Sequence, residues 1–328
     1  MHCDPFYRSD DLVQLLHQDL GGFHPGYRAV HASGRLYAGT FQATPAAKEL
    51  SRAVHLQGSP VPATVRFSSN FSGDPAAASG SVNGMATKFY LPDGQVTDVI
   101  AVGIPIFLVR TPDELLEFLQ LQRPSPNGGP ADPAAIQPFL ATHPATARAL
   151  QMLQGLPGPV SFAQSAYHAI HAYRFVNTAG VGRFARYHWQ PAAGLASQPL
   201  AQLRQQPTDY LYQELERRLQ DGPVTFTLEL ELAEDGDPTD DCTVLWPEGR
   251  ERVTIGRLEL TRPTSLEELG DPVLLHDATR VTDGIELSAD PILQVRRGAY
   301  RASVAQRTGG WQQRQATAKR DPAPPHAP

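Results

Sequence analysis

Cysteine is scarce in this chain. Its 328 residues include two, Cys3 and Cys242, which form neither a CxxC pair nor the spacing of a zinc-binding module. Small disulfide scaffolds and zinc fingers are therefore excluded, because both depend on several closely spaced cysteines. So few thiols are typical of a reducing compartment, and we expect a cytoplasmic protein.

Long hydrophobic runs are also lacking. A membrane-spanning helix needs roughly 18 or more continuous apolar residues, and no stretch approaches that length. The first residues, MHCDPFYRSDDLVQLL, carry acids where a secretory signal peptide has a basic start and an apolar run. We therefore expect no membrane association.

The chain as a whole has no excess of basic charge. Its net charge is −6, which argues against a general nucleic-acid-binding protein, and we expect no nucleic-acid partner. The stretch 296–320 differs, since it holds seven Lys or Arg and no acid, which leaves a local anionic ligand open. With 41% hydrophobic and 19% charged residues, the composition is that of a folded globular protein.

The common enzyme signatures are missing. The chain has no GxGxxG, no Walker A loop, no HExxH and no GxSxG. These motifs carry dinucleotide binding, phosphate binding, zinc-dependent proteolysis and serine hydrolysis, so the sequence lends no support to those classes.

Alternation of apolar and polar residues predicts strands through the middle of the chain. In VTFTLELEL (224–232) the Val, Phe and Leu side chains fall on one face, and Thr and Glu on the other. RVTIGRLEL (252–260) alternates too, with a slip at Gly256 that indicates a β-bulge. Further strands and hairpins are predicted in four segments: GRLYAGTFQA, ATVRFSS, MATKFYLPDGQVTDVIAV and AYRFVNTAGVGRFARYHW.

Two predicted helices have clear end signals. TPDELLEFLQLQ (111–122) begins with Thr111 as N-cap, Pro112 directly after it and Glu114 three residues after the cap, a complete capping box. TDYLYQELERRLQDG (208–222) is amphipathic, and Gly222 is expected to end it in the left-handed conformation.

Strands in the middle, with helices in the insertions and at the end, indicate an α+β fold with an antiparallel β-barrel core and surrounding helices. We expect one folded domain over 1–312. The Pro-, Gly- and Ala-rich stretches 72–81 and 123–133 are predicted loops, and the tail 313–328 is predicted to be disordered.

Two early segments place polar side chains together. In ATVRFSS, alternation puts Arg66 and Ser68 on the face opposite the apolar side chains. In YRAVHASGRL, His31 lies among small residues, with Arg28 three positions earlier. Each feature taken alone is more often structural or solvent-exposed than functional.

A third segment, RRGAYRASVAQR (296–307), combines a tyrosine with arginines. At 3.6 residues per helical turn, Arg296, Tyr300 and Arg307 fall on nearly the same face. A solvated helix face is the ordinary explanation of such a pattern. The pattern alone therefore does not indicate a functional site, and the neighbouring sequence is needed to interpret it.

The segment DGIELSADPILQVRRGAY (283–300) resembles the proximal signature of the haem catalases, in which a PGIE-S-D-L-R stretch leads into a helix with R-x-x-x-Y. Earlier segments are similar to the same family in the same order: RAVHA with a following glycine, VRFS, KFYLPDG, IPIFLVR and HAYRFVNTAGVGRFARYHW. The resemblance extends from about His24 to Arg307. Several ordered motifs are far more specific than any one of them.

The resemblance implies haem, of the haem b type, as the cofactor. It implies that Tyr300 binds the iron as a phenolate and that Arg296, within hydrogen-bond reach, favours the anion. Arg307 would meet a haem propionate.

On the opposite face of the haem, the resemblance implies a general acid/base, His31, which moves a proton between the two peroxide oxygens. Ser68 matches the residue that orients this imidazole. Arg28 and Arg66 match propionate-binding arginines.

Two departures from the family pattern bear on activity. Val102 and Gly103 stand where catalases carry an asparagine that helps orient peroxide, and Leu115 falls about where a distal phenylalanine would stand. The chain thus resembles the minimal catalase-related peroxidases. We expect reduction of hydrogen peroxide or organic peroxides with a small organic electron donor, weak catalase activity, and a homo-oligomer, either a dimer or a tetramer.

Three other functions stay open. A catalase-like haem protein can rearrange fatty-acid hydroperoxides, and product analysis with a lipid hydroperoxide separates that activity from peroxidation. A haem-binding or haem-sensing module would show a haem spectrum that peroxide does not change. A haem-free barrel using its basic C-terminal helix on nucleic acid would show salt-sensitive DNA binding.

Overall fold

Antiparallel strands form the centre of the protein, as the alternating sequence pattern predicts. The structure is a computed structural model that describes residues 12–16, 27–68, 82–123 and 132–320; from residue 306 onward it describes the backbone and the side chain of Thr308. The strands within these ranges are β1 Gly34–Ala43, β2 Val61–Ser68, β3 Gly84–Tyr90, β4 Val96–Val102, β5 Gly158–Pro159, β6 Tyr167–His168, β7 Tyr173–Val176, β8 Gly182–Pro191, β9 Ser197–Gln198, β10 Val224–Leu232, β11 Arg252–Thr264 and β12 Ile285–Leu287.

Eight of these strands close into a barrel. Neighbours pair in the order β10, β11, β1, β2, β3, β4, β6 and β8, and β8 pairs with β10 to complete the ring. Strands β7 and β12 continue the sheet beyond β8, and β5 and β9 form a small separate sheet. The predicted antiparallel barrel is confirmed, and closure removes the exposed edges that an open sheet would present.

Large aromatic side chains fill the inside of the barrel. Phe41, Phe67, Phe89, Trp189 and Phe226 are all fully buried in one cluster. The rings of Phe41 and Phe89 lie 4.9 Å apart, edge to face, an arrangement that aromatic pairs favour. Because the interior is packed with side chains, a ligand has to bind outside the barrel.

The predicted bulge lies in β11, where the register of β10 shifts. Leu228 pairs with Gly256 and the next residue, Glu229, pairs with Thr254, so Ile255 is the extra residue. A Cβ at position 256 would lie 2.2 Å from Phe41 Cζ, which explains the glycine. Along β10 the Val, Phe and Leu side chains are buried and alternate with half-buried Thr and Glu, as predicted.

Helices cover the outside of the barrel and include both predicted segments. They are α1 Ala47–Leu50, α2 Pro112–Leu121, α3 Gln137–Thr142, α4 Pro144–Gly155, α5 Leu200–Leu203, α6 Tyr210–Asp221 and α7 Pro291–Arg320, with 3-10 turns at Val54–Leu56 and Phe162–Gln164. Residues 12–16 are also helical.

The two predicted helix ends have different outcomes. At the start of α2, Thr111 Oγ1 accepts a hydrogen bond from Glu114 N at 3.2 Å, which confirms the cap. At the end of α6, the prediction for Gly222 is wrong: its φ of 157° and ψ of 179° are not left-handed helical. The physical reason is Pro223, whose ring disfavours helical conformations of the residue before it and favours an extended ψ.

Some predictions fall outside the described residues. The loop 72–81 lies outside them, and the loop 123–133 is described at its two ends. The backbone of 313–320 continues α7, whereas 321–328 lie outside the described residues, so the disordered tail and the domain boundary at 312 stay predictions. Within the described ranges, no helix combines the length and the apolar character that crossing a membrane requires.

Candidate active site

His31 lies just before β1 in an unusual backbone conformation. Its φ is +52°, in the left-handed region, which costs an L-residue about 1–2 kcal/mol. Of the residues that the structure describes, His31 is the one non-glycine residue with a positive φ. Its Nδ1 lies 2.9 Å from Ser68 Oγ at the end of β2. Backbone strain held by surrounding contacts is typical of functional sites.

Glycine in the neighbouring strand makes room for the His31–Ser68 pair. Gly84 of β3 pairs with Ser68, and a Cβ at 84 would lie 2.5 Å from Ser68 Oγ and 3.2 Å from His31 Nδ1. Gly84 also pairs with Val102 of β4. Directly paired residues of antiparallel strands present their side chains on the same face, so Val102 is on the face of the sheet that carries Ser68.

Apolar side chains surround the two positions that depart from the family pattern. Val102 packs against the cluster of Val82, Ile104 and Ile106. Leu115, on α2, is buried in an apolar cluster that also includes Val295 of α7. The structure therefore has hydrocarbon at both places.

Arginines hold the segment that contains His31. Arg66 donates hydrogen bonds to His31 O at 2.8 Å and to Ala32 O at 3.0 Å. Its guanidinium lies so close to Gly34 that a Cβ there would be 2.4 Å from Arg66 Cζ. Arg28 donates to Leu274 O at 2.8 Å. The two arginines predicted from separate segments both act on His31, and backbone carbonyls accept hydrogen bonds from each.

The environment keeps His31 neutral. Burial lowers the pKa of its imidazole to about 3, and positive charge contributes as well. The charges come from Arg66, Arg296 and Arg28, in decreasing order of effect. A neutral imidazole at ordinary pH is the form that can accept a proton.

Tyr300 projects from α7 and packs against the barrel core. Its hydroxyl oxygen is shielded from solvent and has no hydrogen bond of ordinary geometry to any described residue. Burial raises the pKa of this hydroxyl, while the charge of Arg296 and the nearby Ala278 N–H act in the opposite direction. Arg28 also lowers it. Arg296 and Arg28 each act electrostatically on both His31 and Tyr300, so the two side chains lie near the same two positive charges.

Arg296 does not bond the Tyr300 hydroxyl, contrary to the expectation from sequence. Its guanidinium carbon lies 5.7 Å from the centroid of the Tyr300 ring, and its Nη1 donates to His171 Nε2 at 2.8 Å. Residues one helical turn apart are neighbours on the helix surface, so Arg296 lies beside the Tyr300 ring. Its guanidinium donates a hydrogen bond to His171 and not to the Tyr300 hydroxyl. The positive charge still acts on the phenol through space.

His171 is the residue that sequence reasoning missed. Its Nδ1 lies 2.7 Å from Asp290 Oδ2, and both side chains are buried. Because a guanidinium can only donate, Nε2 accepts from Arg296 and the imidazole proton is on Nδ1, facing the carboxylate. Burial lowers the pKa of His171, which favours the neutral ring.

Asp290 connects this network to the start of α7. Its Oδ1 accepts hydrogen bonds from Ile292 N at 2.9 Å and Leu293 N at 3.3 Å, as an N-cap does, and Pro291 occupies the first helical position. Burial alone would raise the pKa of Asp290, but the His171 hydrogen bond and the helix N–H groups lower it overall. The Asp-Pro dipeptide is the sequence signal that could have identified this role.

Cys242 adds a buried thiol to the same cluster. Ligand atoms of His171, Cys242 and Asp290 lie within 4.8 Å of one another. Both imidazole nitrogens and the carboxylate already form hydrogen bonds, and burial raises the pKa of the thiol well above its usual value. We therefore interpret the cluster as a hydrogen-bonded support for Arg296 and not as a metal site.

These residues fit the haem that the resemblance implies. A buried phenol oxygen lacking a described partner is suited to bind iron as a phenolate. A neutral histidine lies near the same positive charges, and arginines able to bind carboxylates are close to it. The side chain of Arg307 lies outside the described residues, so its predicted propionate contact stays a prediction.

Comparison with known proteins agrees with this arrangement. A family model described as catalase matches residues 25–320. A catalase-related peroxidase of Mycolicibacterium paratuberculosis is 42% identical over 292 residues, which cover 88% of this chain and 91% of that protein. A catalase-related peroxidase of Synechococcus elongatus is 32% identical over 88% of this chain and 86% of its own length.

The larger catalases match over a smaller share of their length. Catalase-2 of Bacillus subtilis is 28% identical over 86% of this chain and 44% of that protein. A solved bacterial catalase has a TM-score of 0.75 at 22% identity, covering 87% of this chain and 58% of that one, which shows a shared fold. With a family model spanning nearly all of the described fold, this chain belongs to the catalase family.

Proposed function

We propose that this protein is a haem-dependent peroxidase that reduces hydrogen peroxide or organic peroxides while oxidising a small organic donor, with weak catalase activity. The observation that carries the proposal is a neutral His31 held by Ser68, whose face of the sheet also carries the apolar Val102. Membership of the catalase family implies the haem. The relatives named catalase-related peroxidases support the reaction.

Residues from the N-terminal and the C-terminal parts of the chain would hold the cofactor. Tyr300 is the proposed iron ligand, and Arg28, Arg66 and Arg307 are the proposed partners of the propionates. Haem b, when bound, supplies an iron centre that binds peroxide and accepts its oxidising equivalents. Arg296 keeps a positive charge beside the phenolate, and the His171 side chain fixes the guanidinium in that position.

His31 performs the proton transfer in this proposal. Its Nδ1–H donates to Ser68 Oγ, which leaves Nε2 as the proton-accepting nitrogen. Nε2 takes the proton from one peroxide oxygen and returns it to the other. That proton would let the departing oxygen leave as water or an alcohol, while haem, when bound, would accept the two oxidising equivalents of the other oxygen. Ser68 holds the ring in the orientation that both transfers need.

Val102 determines the balance between the two activities. Catalase turnover requires a second hydrogen peroxide held in a polar pocket, and an asparagine would supply a hydrogen bond that valine cannot. A lost hydrogen bond that operates in a transition state costs ~1–3 kcal/mol, or roughly one to two orders of magnitude in rate. An organic donor that gives up electrons one at a time needs no such contact, so its oxidation continues.

The test of the proposed function compares oxygen release with oxidation of a phenolic or dye donor in the same samples. Wild-type protein should oxidise the donor strongly and release little oxygen, and Val102→Asn should raise the catalase-to-peroxidase ratio by about tenfold. Val102→Leu is the matched control, since it keeps the position apolar and should leave the ratio unchanged. Vigorous oxygen release by the wild type would contradict the proposal.

The reaction with peroxide should be nearly independent of pH between about pH 5 and 8. A lowered histidine pKa means that protonation, which would block the base, begins only as the pH falls toward the shifted value of about 3. An ordinary histidine with a pKa near 6.5 would lose most of its neutral form by about pH 5. Stopped-flow measurement of the second-order rate constant tests this, with the haem spectrum confirming at each pH that the cofactor stays bound. A midpoint near 6.5 would contradict the assignment.

The donor, the quaternary structure and the cellular location are further parts of the proposal. We propose a small organic donor, a dimeric or tetrameric assembly and a cytoplasmic location, the last supported by the low cysteine content. Light scattering of the purified protein tests the assembly state, and a monomer would contradict it.

A further inference from the structure

His276 is a buried histidine that neither the sequence motifs nor the proposed reaction uses. It is 1% exposed and lies in the segment that leads from β11 to β12. Its Nδ1 is 3.4 Å from Nη2 of Arg28, the same nitrogen that donates to Leu274 O. The ring is therefore beside an arginine that we assign to a haem propionate.

The backbone on both sides of His276 is held in place. Lys88 donates from Nζ to Leu275 O at 2.8 Å, and Asp277 N donates to Asp98 Oδ2 at 2.9 Å. Lys88 and Asp98 form a buried ion pair at 2.8 Å on strands β3 and β4. The sheet thus fixes the position of the histidine, as expected for a side chain that must meet a partner accurately.

The hydrogen-bond pattern determines which ring nitrogen carries the proton. A guanidinium can only donate, so Nδ1 of His276 accepts from Arg28 and the proton is on Nε2. Burial, followed by the charges of Arg28, Lys88 and Arg66, lowers the pKa of the ring well below its usual value, so the neutral form persists. Nε2 is shielded from solvent and has no hydrogen-bond partner among the described residues. A buried N–H without an acceptor is unfavourable, and it indicates a ligand that supplies one.

The surrounding charges define the chemistry of that acceptor. Arg28 and Arg66 both act on His276 and on His31. Two guanidiniums and a neutral N–H donor together suit a carboxylate, which has two oxygens and several lone pairs to satisfy. Peroxide and an uncharged donor would not require this concentration of positive charge.

We propose that His276 is a haem-propionate ligand, donating from Nε2–H to a carboxylate oxygen on the side of the ring that faces away from Arg28. The proposal rests on the haem binding of the proposed function. It makes His276 a determinant of cofactor choice: the pocket selects a porphyrin with a free carboxylate at this edge over one whose carboxylates are esterified.

The test compares haemin with haemin dimethyl ester, each titrated into the haem-stripped full chain and followed by absorbance. Wild-type protein, His276→Phe and His276→Gln are measured. His276→Phe fills the ring volume without a donor and should weaken haemin binding by about tenfold or more while changing ester binding little. His276→Gln keeps an N–H donor at a similar distance and should retain most of the preference for the free acid.

Each outcome has a definite meaning. Preference for the free acid that falls in His276→Phe and survives in His276→Gln supports the proposal, because the ratio of the two affinities isolates the carboxylate contact. Equal weakening toward both porphyrins, or no weakening, overturns it and leaves a packing role. Failure of the wild type to bind haemin with a phenolate-type spectrum overturns the proposed function itself. Far-UV circular dichroism and melting of each haem-stripped variant exclude misfolding, and the propionate bending mode in resonance Raman spectra gives a second readout on the holoprotein.

Discussion

Replacing Tyr300 with phenylalanine is expected to abolish stable haem binding and the phenolate-type ferric spectrum. The substitution removes one oxygen and keeps the ring, so packing against the barrel core is preserved. That oxygen is buried and has no hydrogen-bond partner among the described residues, so no described contact is lost with it. Loss of an outer partner of a metal ligand lowers metal affinity about 10–100-fold, and loss of the ligand should exceed that. Absorbance titration with haemin measures the effect.

Tyr173→Phe is the matched control for this substitution. Tyr173 is buried near Arg296, and its hydroxyl donates to Ala278 O at 3.0 Å. Its loss should cost about 1 kcal/mol of stability, as for an ordinary hydrogen bond, and leave the haem spectrum unchanged. A wild-type spectrum in Tyr300→Phe would show that another group ligates the iron, and equal loss of haem in both variants would show a structural effect.

His31→Ala is expected to remove both oxygen release and donor oxidation while leaving haem bound. General acid/base catalysis by a positioned side chain contributes about 10²–10⁴-fold, and we expect a loss in that range. Haem should remain because Tyr300 lies on a separate element, α7. Oxygen release, dye oxidation and the haem spectrum are measured on the same preparation. Retention of either activity at the wild-type level would remove His31 from the mechanism.

Ser68→Ala distinguishes the orientation of the imidazole from its proton transfer. The variant keeps His31 and removes the hydrogen bond to Nδ1. One such bond contributes about 0.5–1.5 kcal/mol, so the rate should fall by up to about tenfold, well short of the loss in His31→Ala. A loss as large as that of His31→Ala would mean that Ser68 itself takes part in proton transfer.

Much of the fold could be predicted because its signals are local. The alternation in β10 and the slip at Gly256 depend on a side-chain period of two, which every strand obeys. The start of α2 could be predicted because Thr111 and Glu114 are three residues apart and meet within one turn. The end of α6 could not be predicted by the helix rule alone, since Pro223 determines the conformation of Gly222.

The candidate site was predicted in part, through resemblance rather than periodicity. Alternation alone placed Arg66 and Ser68 on one face, and the helical repeat placed Arg296 near Tyr300. Neither pattern could show that Ser68 meets His31, because the two residues are in different segments joined by pairing of β1 with β2. The positive φ of His31 is likewise a consequence of its contacts.

The sequence by itself determined seven of the barrel's eight strands, all but β6, together with the order of the motifs and the residue types at the two departures, Val102 and Leu115. The tertiary structure decided which atoms face one another. It directed Arg296 to His171 and placed His276 against Arg28. The physical reason is that periodicity states which face of an element a side chain occupies, whereas hydrogen-bond partners depend on how distant elements pack, and only the folded chain brings those elements together.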